Sequence, residues 1–223
     1  RGSLQLKKGL RQEAEADLRT VATTMQRVLG DHHPQTLSSQ LRLGEALQAQ
    51  GRFDEALEHA QATLDASRRT LGEDDPTTLA AKLALGNILF RLQRYSEVEA
   101  TYRDALHGNQ RVFGNEHPKT WKPMSNLAVF FNSTGRYDEA EVLLSQVLSA
   151  ERAQLGEEHE GTLMTQASLS ITLVYQGRLS EAEVMMRQLV DATRRASGAE
   201  HPRSLEIESN LARLLLLQGK HDE

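Results

Sequence analysis

A fixed period of 42 residues runs through the sequence and constrains the fold more than any other feature. A turn of the form Gly-x-x-x-Glu-Ala, with near variants in some copies, begins at Gly9, Gly51, Gln93, Gly135, Gly177 and Gly219. A second glycine keeps the same step at Gly30, Gly72, Gly114, Gly156 and Gly198. Several marks in one register, with no insertion, predict tandem copies of a single supersecondary unit.

Each period holds two helices. The first glycine suits the left-handed residue that ends one helix, and the second glycine ends the next. Proline is tolerated in the first turn of a helix, so it indicates where the following helix begins. The pairs at this point are His33-Pro34, Asp75-Pro76, His117-Pro118, His159-Glu160 and His201-Pro202. The spacing predicts a helix A over residues 34–50 and a helix B over residues 54–71, repeated at 42-residue steps.

Capping and packing positions recur with the same period. Short polar residues after the first glycine are predicted to cap helix B, namely Asp54, Ser96, Asp138 and Ser180. Apolar residues fall at helical spacing, as in Leu37, Leu41 and Leu47. Small residues are expected where helices A and B come close, at Gly44, Gly86, Ala128, Ser170 and Ala212. We therefore expect an all-α fold of about five stacked helix pairs.

The composition fits this fold and argues against several classes of protein. Hydrophobic residues make up 39% of the 223 residues, and no cysteine is present for a disulfide or a thiolate metal site. The net charge is −5 with both signs interspersed, so we expect neither a nucleic acid nor an anionic membrane as partner. The longest aliphatic run, Leu214–Leu217, is too short to span a bilayer. The expectation is a cytoplasmic protein without a cofactor.

The chain resembles the tetratricopeptide repeat (TPR), whose spacings are matched by Leu43-Gly44, Leu47, Gly51, Phe53 and Ala56. The 42-residue period, the pattern Leu-Gly-x-x-His-Pro-x-Thr-Leu and the Asn-Leu-Ala segments at Asn126 and Asn210 resemble the kinesin light chain type of repeat. The resemblance covers residues 4–223. It implies a right-handed α–α superhelix, in which the A helices line a concave groove that commonly holds a peptide or a partner helix.

The resemblance also implies which side chains of the A helices face the groove. These candidate partner-binding residues are Arg42, Glu45, Asn87, Phe90, Arg91, Lys122, Asn126, Asn132, Met164, Ile171, Tyr175, Asn210 and Arg213. Arg91 and Lys122 could hold a carboxylate, and asparagine amides could pair with a peptide backbone. Met164, Ile171 and Tyr175 could take an apolar anchor. The alternative is that the charges form a solvated face and the apolar side chains belong to the core between repeats.

No metal site or catalytic site is expected. His33, His117, His159 and His201 repeat once per period, so they lie in equivalent turns, too far apart to share a zinc ion. We interpret them as turn and cap residues. The serines and threonines stand outside any nucleophile elbow, and no glycine-rich loop follows a strand.

Pro123 interrupts the pattern inside the third helix A. A proline within a helix removes a hydrogen bond to the residue four positions earlier. The sequence therefore predicts either a late helix start near Trp121, which would reshape the groove beside Lys122, or a distorted first turn.

The ends of the sequence suggest a segment of a longer array. Residues 1–3 read as a cloning remnant, residues 4–223 as a single array with periods starting near 9, 51, 93, 135 and 177, and both ends as truncated. An uncovered last helix predicts self-association through Leu214, Leu215, Leu216 and Leu217. The predicted function is a non-catalytic scaffold that binds a protein or peptide. The alternatives are a sensor arm of a larger signalling ATPase or protease-like switch protein, and an architectural module.

Overall fold

The computed structural model describes the backbone of residues 2–219 and the side chains of residues 12–219. The helices in this part of the chain are α1 Gly2–Leu29, α2 Pro34–Ala49, α3 Phe53–Leu71, α4 Pro76–Arg91, α5 Tyr95–Phe113, α6 Pro118–Ser133, α7 Tyr137–Leu155, α8 Glu160–Tyr175, α9 Leu179–Ser197 and α10 Pro202–Leu217. The A helices are α2, α4, α6, α8 and α10, with 16 residues each. The B helices α3, α5, α7 and α9 have 19 each. The predicted all-α helix pairs are confirmed.

The turns that lead into the A helices match the prediction. His33 is the N-cap of α2, and its Nδ1 accepts a hydrogen bond from the Gln35 N–H at 3.2 Å. His117, His159 and His201 do the same for α6, α8 and α10, and Asp75 uses its carboxylate for α4. The interpretation of the recurring histidines as cap residues is therefore confirmed.

The turns that lead into the B helices differ from the prediction. After α2, the Arg52 N–H donates to the Leu47 carbonyl and the Gly51 N–H to the Gln48 carbonyl, which is a Schellman ending. Arg52 is also the N-cap of α3 and makes no side-chain capping bond. Arg52 thus makes the last hydrogen bond of the turn after helix A and is also the N-cap of helix B. The caps predicted at Asp54, Ser96, Asp138 and Ser180 are wrong, because those residues lie inside the first turn of α3, α5, α7 and α9.

The helices form two compact units, residues 1–115 and residues 116–223. In unit 1, a buried cluster joins α2, α3 and α4 through Leu47, Ala56, Ala60 and Ile88. In unit 2, one cluster joins α8, α9 and α10 through Leu163, Leu189 and Ile207. A second cluster joins the same three helices through Leu173, Met186 and Leu214. Each helix pair thus buries its apolar face with the help of the next pair in its unit.

Gly86 shows why helices A and B need small residues where they meet. A Cβ atom at this position would stand 2.6 Å from the ring of Tyr102 on α5, closer than real Cβ contacts. Ala128 and Ser170 are likewise fully buried. Ala212 is exposed, contrary to the prediction, because no B helix follows α10 within the described residues.

Pro123 lies inside α6 without delaying its start. The helix begins at Pro118, so the predicted late start near Trp121 is wrong. The first turn is instead tightened, since the Thr120 N–H donates to the His117 carbonyl three residues back, at 2.8 Å. The corresponding bond in α2 spans four residues, from the Leu37 N–H to the His33 carbonyl. The structure thus matches the second alternative, a distorted first turn.

Helix α1 also corrects the prediction at the start of the array. It runs without a break from Gly2 to Leu29, although a turn was expected at Gly9. A helix passes through a glycine at a cost of about 1 kcal/mol. Residues 4–8 are too few to form a separate helix that would stabilise a turn. Arg1 and residues 220–223 lie outside the described residues, so the prediction of a cloning remnant at residues 1–3 and of a further turn after Gly219 is not tested.

Candidate partner-binding site

A stripe of exposed side chains runs along each A helix at spacings of three and four residues. In unit 1 it consists of Ser38, Arg42, Glu45 and Ala49 on α2, and Ala80, Ala84, Asn87 and Arg91 on α4. In unit 2 it consists of Lys122, Asn126, Val129 and Ser133 on α6, Met164, Ser168, Ile171 and Tyr175 on α8, and Glu206, Asn210, Arg213 and Leu217 on α10. All of these residues are exposed or half-buried. We call this surface the A-helix stripe.

In unit 1, two candidate residues already have contacts within the fold. The Asn87 carbonyl oxygen accepts a hydrogen bond from the Tyr102 hydroxyl at 2.9 Å. The Phe90 ring lies 5.9 Å from the ring of Tyr95. These contacts hold both side chains in place, so less of each side chain is available to contact a partner. Burial raises the pKa of Tyr102, so its hydroxyl keeps the proton that Asn87 accepts.

Arg42, Glu45 and Arg91 remain exposed on the same stripe. The Arg91 guanidinium lies over the Phe53 ring, 5.4 Å from its centroid. This stacking orients the guanidinium while leaving its N–H groups at the edge.

In unit 2, the stripe becomes apolar on α8. Met164 is 56% exposed, Ile171 39% and Tyr175 57%. The Tyr175 ring stacks on the Tyr137 ring with a centroid distance of 5.3 Å, and this stacking holds the Tyr175 ring in place. These residues line the surface and are absent from the buried clusters of unit 2.

The asparagines of unit 2 differ in their position and in their contacts within the fold. The Asn132 amide nitrogen donates to the Thr172 hydroxyl at 2.9 Å, so it joins α6 to α8. Asn126 and Asn210 are half-buried on the stripe. The structure thus brings Lys122, Asn126 and Asn210 to the stripe, whereas Asn132 is used mainly in packing.

Most arginines in the described residues are held by carboxylates at repeating positions. The arginine before each B helix binds a glutamate three residues later, in the pairs Arg52–Glu55, Arg94–Glu97, Arg136–Glu139 and Arg178–Glu181. Other pairs bind one repeat to the next, such as Arg111–Asp74 and Arg195–Glu158. These pairs were not predicted, although the recurrence of Arg-x-x-Glu at one point of the period was a sequence signal for the first group.

The cations of the A-helix stripe behave differently. Within residues 12–219, Arg42, Arg91, Lys122 and Arg213 form no ion pair with the protein. Their charge is therefore available to a ligand, whereas the charge of the arginines in the turns is already neutralised by the fold.

Two buried charges lie away from the stripe. Lys82 on α4 is 2% exposed, and its Nζ contacts Glu73 at 2.7 Å and Asp104 at 2.9 Å. Glu151 on α7 is 8% exposed, and burial raises the pKa of its carboxyl. Within the part of the chain that the structure describes, no group of three or more His, Asp or Glu side chains is arranged to hold a metal ion.

Comparison with known families agrees with this geometry. A family model described as the tetratricopeptide repeat matches residues 1–66, 36–111 and 121–195. The chain belongs to the tetratricopeptide repeat family. Proteins of this family are generally non-catalytic scaffolds for protein–protein interaction. A search of curated protein sequences gives no match.

Solved structures identify the type of repeat. The kinesin light chain-like TPR repeats of Podosopora anserina share 26% identity with this chain, with a TM-score of 0.69 over 86% of it and 90% of theirs. BtubC (BKLC) from P. vanneervenii shares 18% identity and has a TM-score of 0.81 over 95% of this chain and 85% of its own. A thermophilic TPR protein of Thermus thermophilus has a TM-score of 0.53 at 19% identity, covering 97% of this chain and 100% of its own. The predicted kinesin light chain-like TPR solenoid is confirmed.

The last A helix exposes only half of its leucine run. Leu214 and Leu215 are 2% and 7% exposed, so they are not available for self-association as predicted. Leu214 belongs to the core with Leu173 and Met186. Leu216 and Leu217 are 58% and 68% exposed, because the helical period places them on the opposite side of the helix from Leu214 and Leu215. None of the described helices has both the length and the hydropathy needed to cross a membrane.

Proposed function

We propose that this chain is a non-catalytic binding module whose A-helix stripe binds an acidic peptide or partner segment. The observation that carries the proposal is the set of stripe cations, Arg42 and Arg91 in unit 1 and Lys122 and Arg213 in unit 2, which lack an ion pair within the described residues. Each unit adds one stripe carboxylate, Glu45 or Glu206, so the stripe of each unit has a positive balance although the whole chain is acidic.

The energetics require several contacts at once. An exposed ion pair contributes about 0.2–1 kcal/mol, so two cations per unit cannot hold a partner alone. In unit 2, Met164, Ile171 and Tyr175 supply apolar surface, and an apolar side chain buried against them contributes about 1.5–3 kcal/mol. A partner segment with an apolar anchor flanked by carboxylates therefore fits unit 2 better than a uniformly acidic one.

Peptide arrays that vary acidic and apolar residues independently test this proposal with the full chain. Arg42→Glu with Arg91→Glu, and Lys122→Glu with Arg213→Glu, are expected to weaken binding of acidic peptides by at least roughly tenfold, as loss of a central contact does. Arg69→Glu, compared with each of the four stripe substitutions made singly, is the matched control, because Arg69 on α3 is exposed, also lacks an ion pair within residues 12–219, and lies outside the stripe. If Arg69→Glu weakens binding as much as the stripe variants do, the effect is one of net charge and the stripe is not the site.

Self-association is a second candidate, favoured by the exposure of Leu216 and Leu217 at 58% and 68%. Leu216→Glu with Leu217→Glu would then convert an oligomer into a monomer in sedimentation velocity. A sensor arm of a larger switch protein and a cytoplasmic location stay predictions from the sequence.

A further inference from the structure

A groove on the opposite helices of unit 2 is independent of the A-helix stripe. It lies between the B helices α7 and α9, with α8 beneath them, and consists of two adjoining concavities of about 540 and 510 Å³. Ser145, Leu169 and Met185 line both concavities, so they join into one depression. We call it the α7–α9 groove.

Small side chains on α7 open this groove. Ser145, Ser149 and Ala153 line its α7 side, one helical turn apart. At the equivalent positions, α3 in unit 1 carries Gln61, Asp65 and Arg69, which are larger and polar. The replacement lowers the α7 wall of the groove.

The polar residues beside the floor of the groove also differ from those of unit 1. In unit 1, Lys82 of α4 is held by Glu73 and Asp104, so a buried charge occupies the space between α3 and α5. Gln166 and Gln188 stand at the positions equivalent to Lys82 and Asp104, and the Gln166 amide donates to the Met185 carbonyl at 3.3 Å. The floor is formed by Leu148, Leu169 and Leu173, which are 3%, 5% and 3% exposed, and by the half-buried Met185. Unit 1 has leucines at the first three of these positions, so the difference is the missing ion cluster beside them.

One end of the groove is acidic. The Arg178 guanidinium binds Glu141 at 2.7 Å and Glu181 at 2.7 Å, and Gln176 donates to Asp138 at 2.9 Å. The lining at this end therefore holds two carboxylates and one guanidinium, and it carries one negative charge in excess. Hydrogen bonds from Gln176 and Arg178 lower the pKa of Glu141, and Arg178 lowers that of Glu181, so both are ionised near neutral pH. At the other end, Arg152 is neutralised by Glu157 at 3.0 Å.

The backbone around the groove decides what kind of segment it accepts. The walls and the floor are helices, whose N–H and C=O groups are bonded along their own axes. An extended peptide would find no backbone partners there and would bury unpaired amides at a cost of about 1–3 kcal/mol each. A helix satisfies its own backbone and presents apolar side chains to the floor. From Glu141 to Ala153 the groove runs for roughly 18 Å, about three turns of such a helix.

We propose that the α7–α9 groove binds an amphipathic helix of a partner protein, with its apolar face on Val184 and Met185, above the buried leucines of the floor, and a lysine or arginine against Glu141 and Glu181. The charge difference between the two ends of the groove fixes the direction in which the helix lies. Val184, 59% exposed on α9, forms an apolar rim that the helix would cover.

A displayed library of helical peptides tests the proposal with the full chain as bait. Peptides of about 16 residues carry a fixed apolar stripe and random residues elsewhere. We expect enrichment of peptides with lysine or arginine at one end, and a roughly tenfold loss of affinity when that residue is changed to glutamate. Ser145→Gln with Ser149→Asp restores the wall of unit 1 and is expected to abolish the selected binding. Both positions are exposed, and circular dichroism melting checks that the variant folds.

Val184→Glu is a second groove variant, and Met164→Glu on the A-helix stripe is the matched control at an exposed apolar residue. The proposal is overturned if selected peptides lose binding with Met164→Glu and keep it with both groove variants, because they then occupy the stripe. Absence of enrichment over an unselected library also overturns it. The proposal is also overturned if sedimentation shows a dimer that either groove variant dissociates, because the occupant of the groove is then a second copy of the chain.

Discussion

Glu151 gives the sharpest test of the packing within unit 2. Its side chain is 8% exposed, and its Oε2 atom has no hydrogen-bond partner in the described residues. At the equivalent positions, Ser67, Asn109 and Thr193 are also buried, and each donates a hydrogen bond to a carbonyl of its own helix. The site thus offers an acceptor, which an ionised carboxylate cannot use because it has no proton to donate.

Glu151→Gln should therefore stabilise the protein. The amide can donate as Asn109 does, whose Nδ2 lies 2.7 Å from the Ala105 carbonyl. A buried polar atom without a partner costs about 1–3 kcal/mol, so the gain in the free energy of unfolding is of that order near pH 8. For a chain of this length, each kcal/mol raises Tm by roughly 2–4 °C.

The pH dependence of this gain has a defined sign. Burial is the main cause that raises the pKa of Glu151, and the hydrogen bond with the Thr165 hydroxyl only partly opposes it. The folded state therefore holds a proton on this carboxyl at pH values where the unfolded state has lost it. Stability from this residue is complete below the ordinary glutamate pKa and falls as the pH rises through the raised folded pKa. The advantage of the Glu151→Gln variant over the wild type grows across the same interval, by up to about 1.4 kcal/mol per pH unit.

Urea unfolding of wild type and Glu151→Gln between pH 4 and pH 8 measures this difference. Asn109→Asp is the reciprocal control, since it places a carboxylate at the equivalent site of unit 1 and should destabilise the protein increasingly as the pH rises. A difference between Glu151→Gln and wild type that stays constant over the whole range, or a variant less stable at pH 8, would refute the reasoning.

Two further predictions concern the backbone. Gln93 has φ 58°, where the corresponding turns carry glycine, so Gln93→Gly should raise the free energy of unfolding by about 1 kcal/mol in urea unfolding; no change would show that the left-handed conformation is unstrained there. Gly86→Ala should destabilise the protein by about 1–3 kcal/mol, because the added Cβ would clash with the Tyr102 ring. A Cβ at Gly44 would lie 3.7 Å from its nearest neighbour, the His59 ring, so Gly44→Ala should stabilise the protein by up to about 1 kcal/mol. Thermal melts measure both effects. Equal effects of the two alanines would contradict the close approach at Gly86.

The sequence predicted which stripe residues are exposed, but not which of them are paired within the fold; that they bind a partner stays a prediction. Arg42 and Arg91 in unit 1, and Lys122 and Arg213 in unit 2, were predicted at equivalent exposed positions of their A helices because helical spacing and a fixed period relate them. Whether each cation is neutralised depends on carboxylates elsewhere in the fold, and this could be seen only in the structure. The Asn132 amide bonds to Thr172, 40 residues away, so a local sequence pattern does not reveal its role in packing.

From α2 to α10, the helix boundaries, the histidine caps and the glycine turns were determined by the sequence alone, because each depends on bonds among residues close together in the chain. His33 and Gln35 illustrate this, as acceptor and donor lie two residues apart. The burial of Glu151 and Leu214 and the open wall of the α7–α9 groove were decided by tertiary structure. These features depend on which side chain of a neighbouring helix fills the space, and packing between helices joins residues that a local pattern cannot relate.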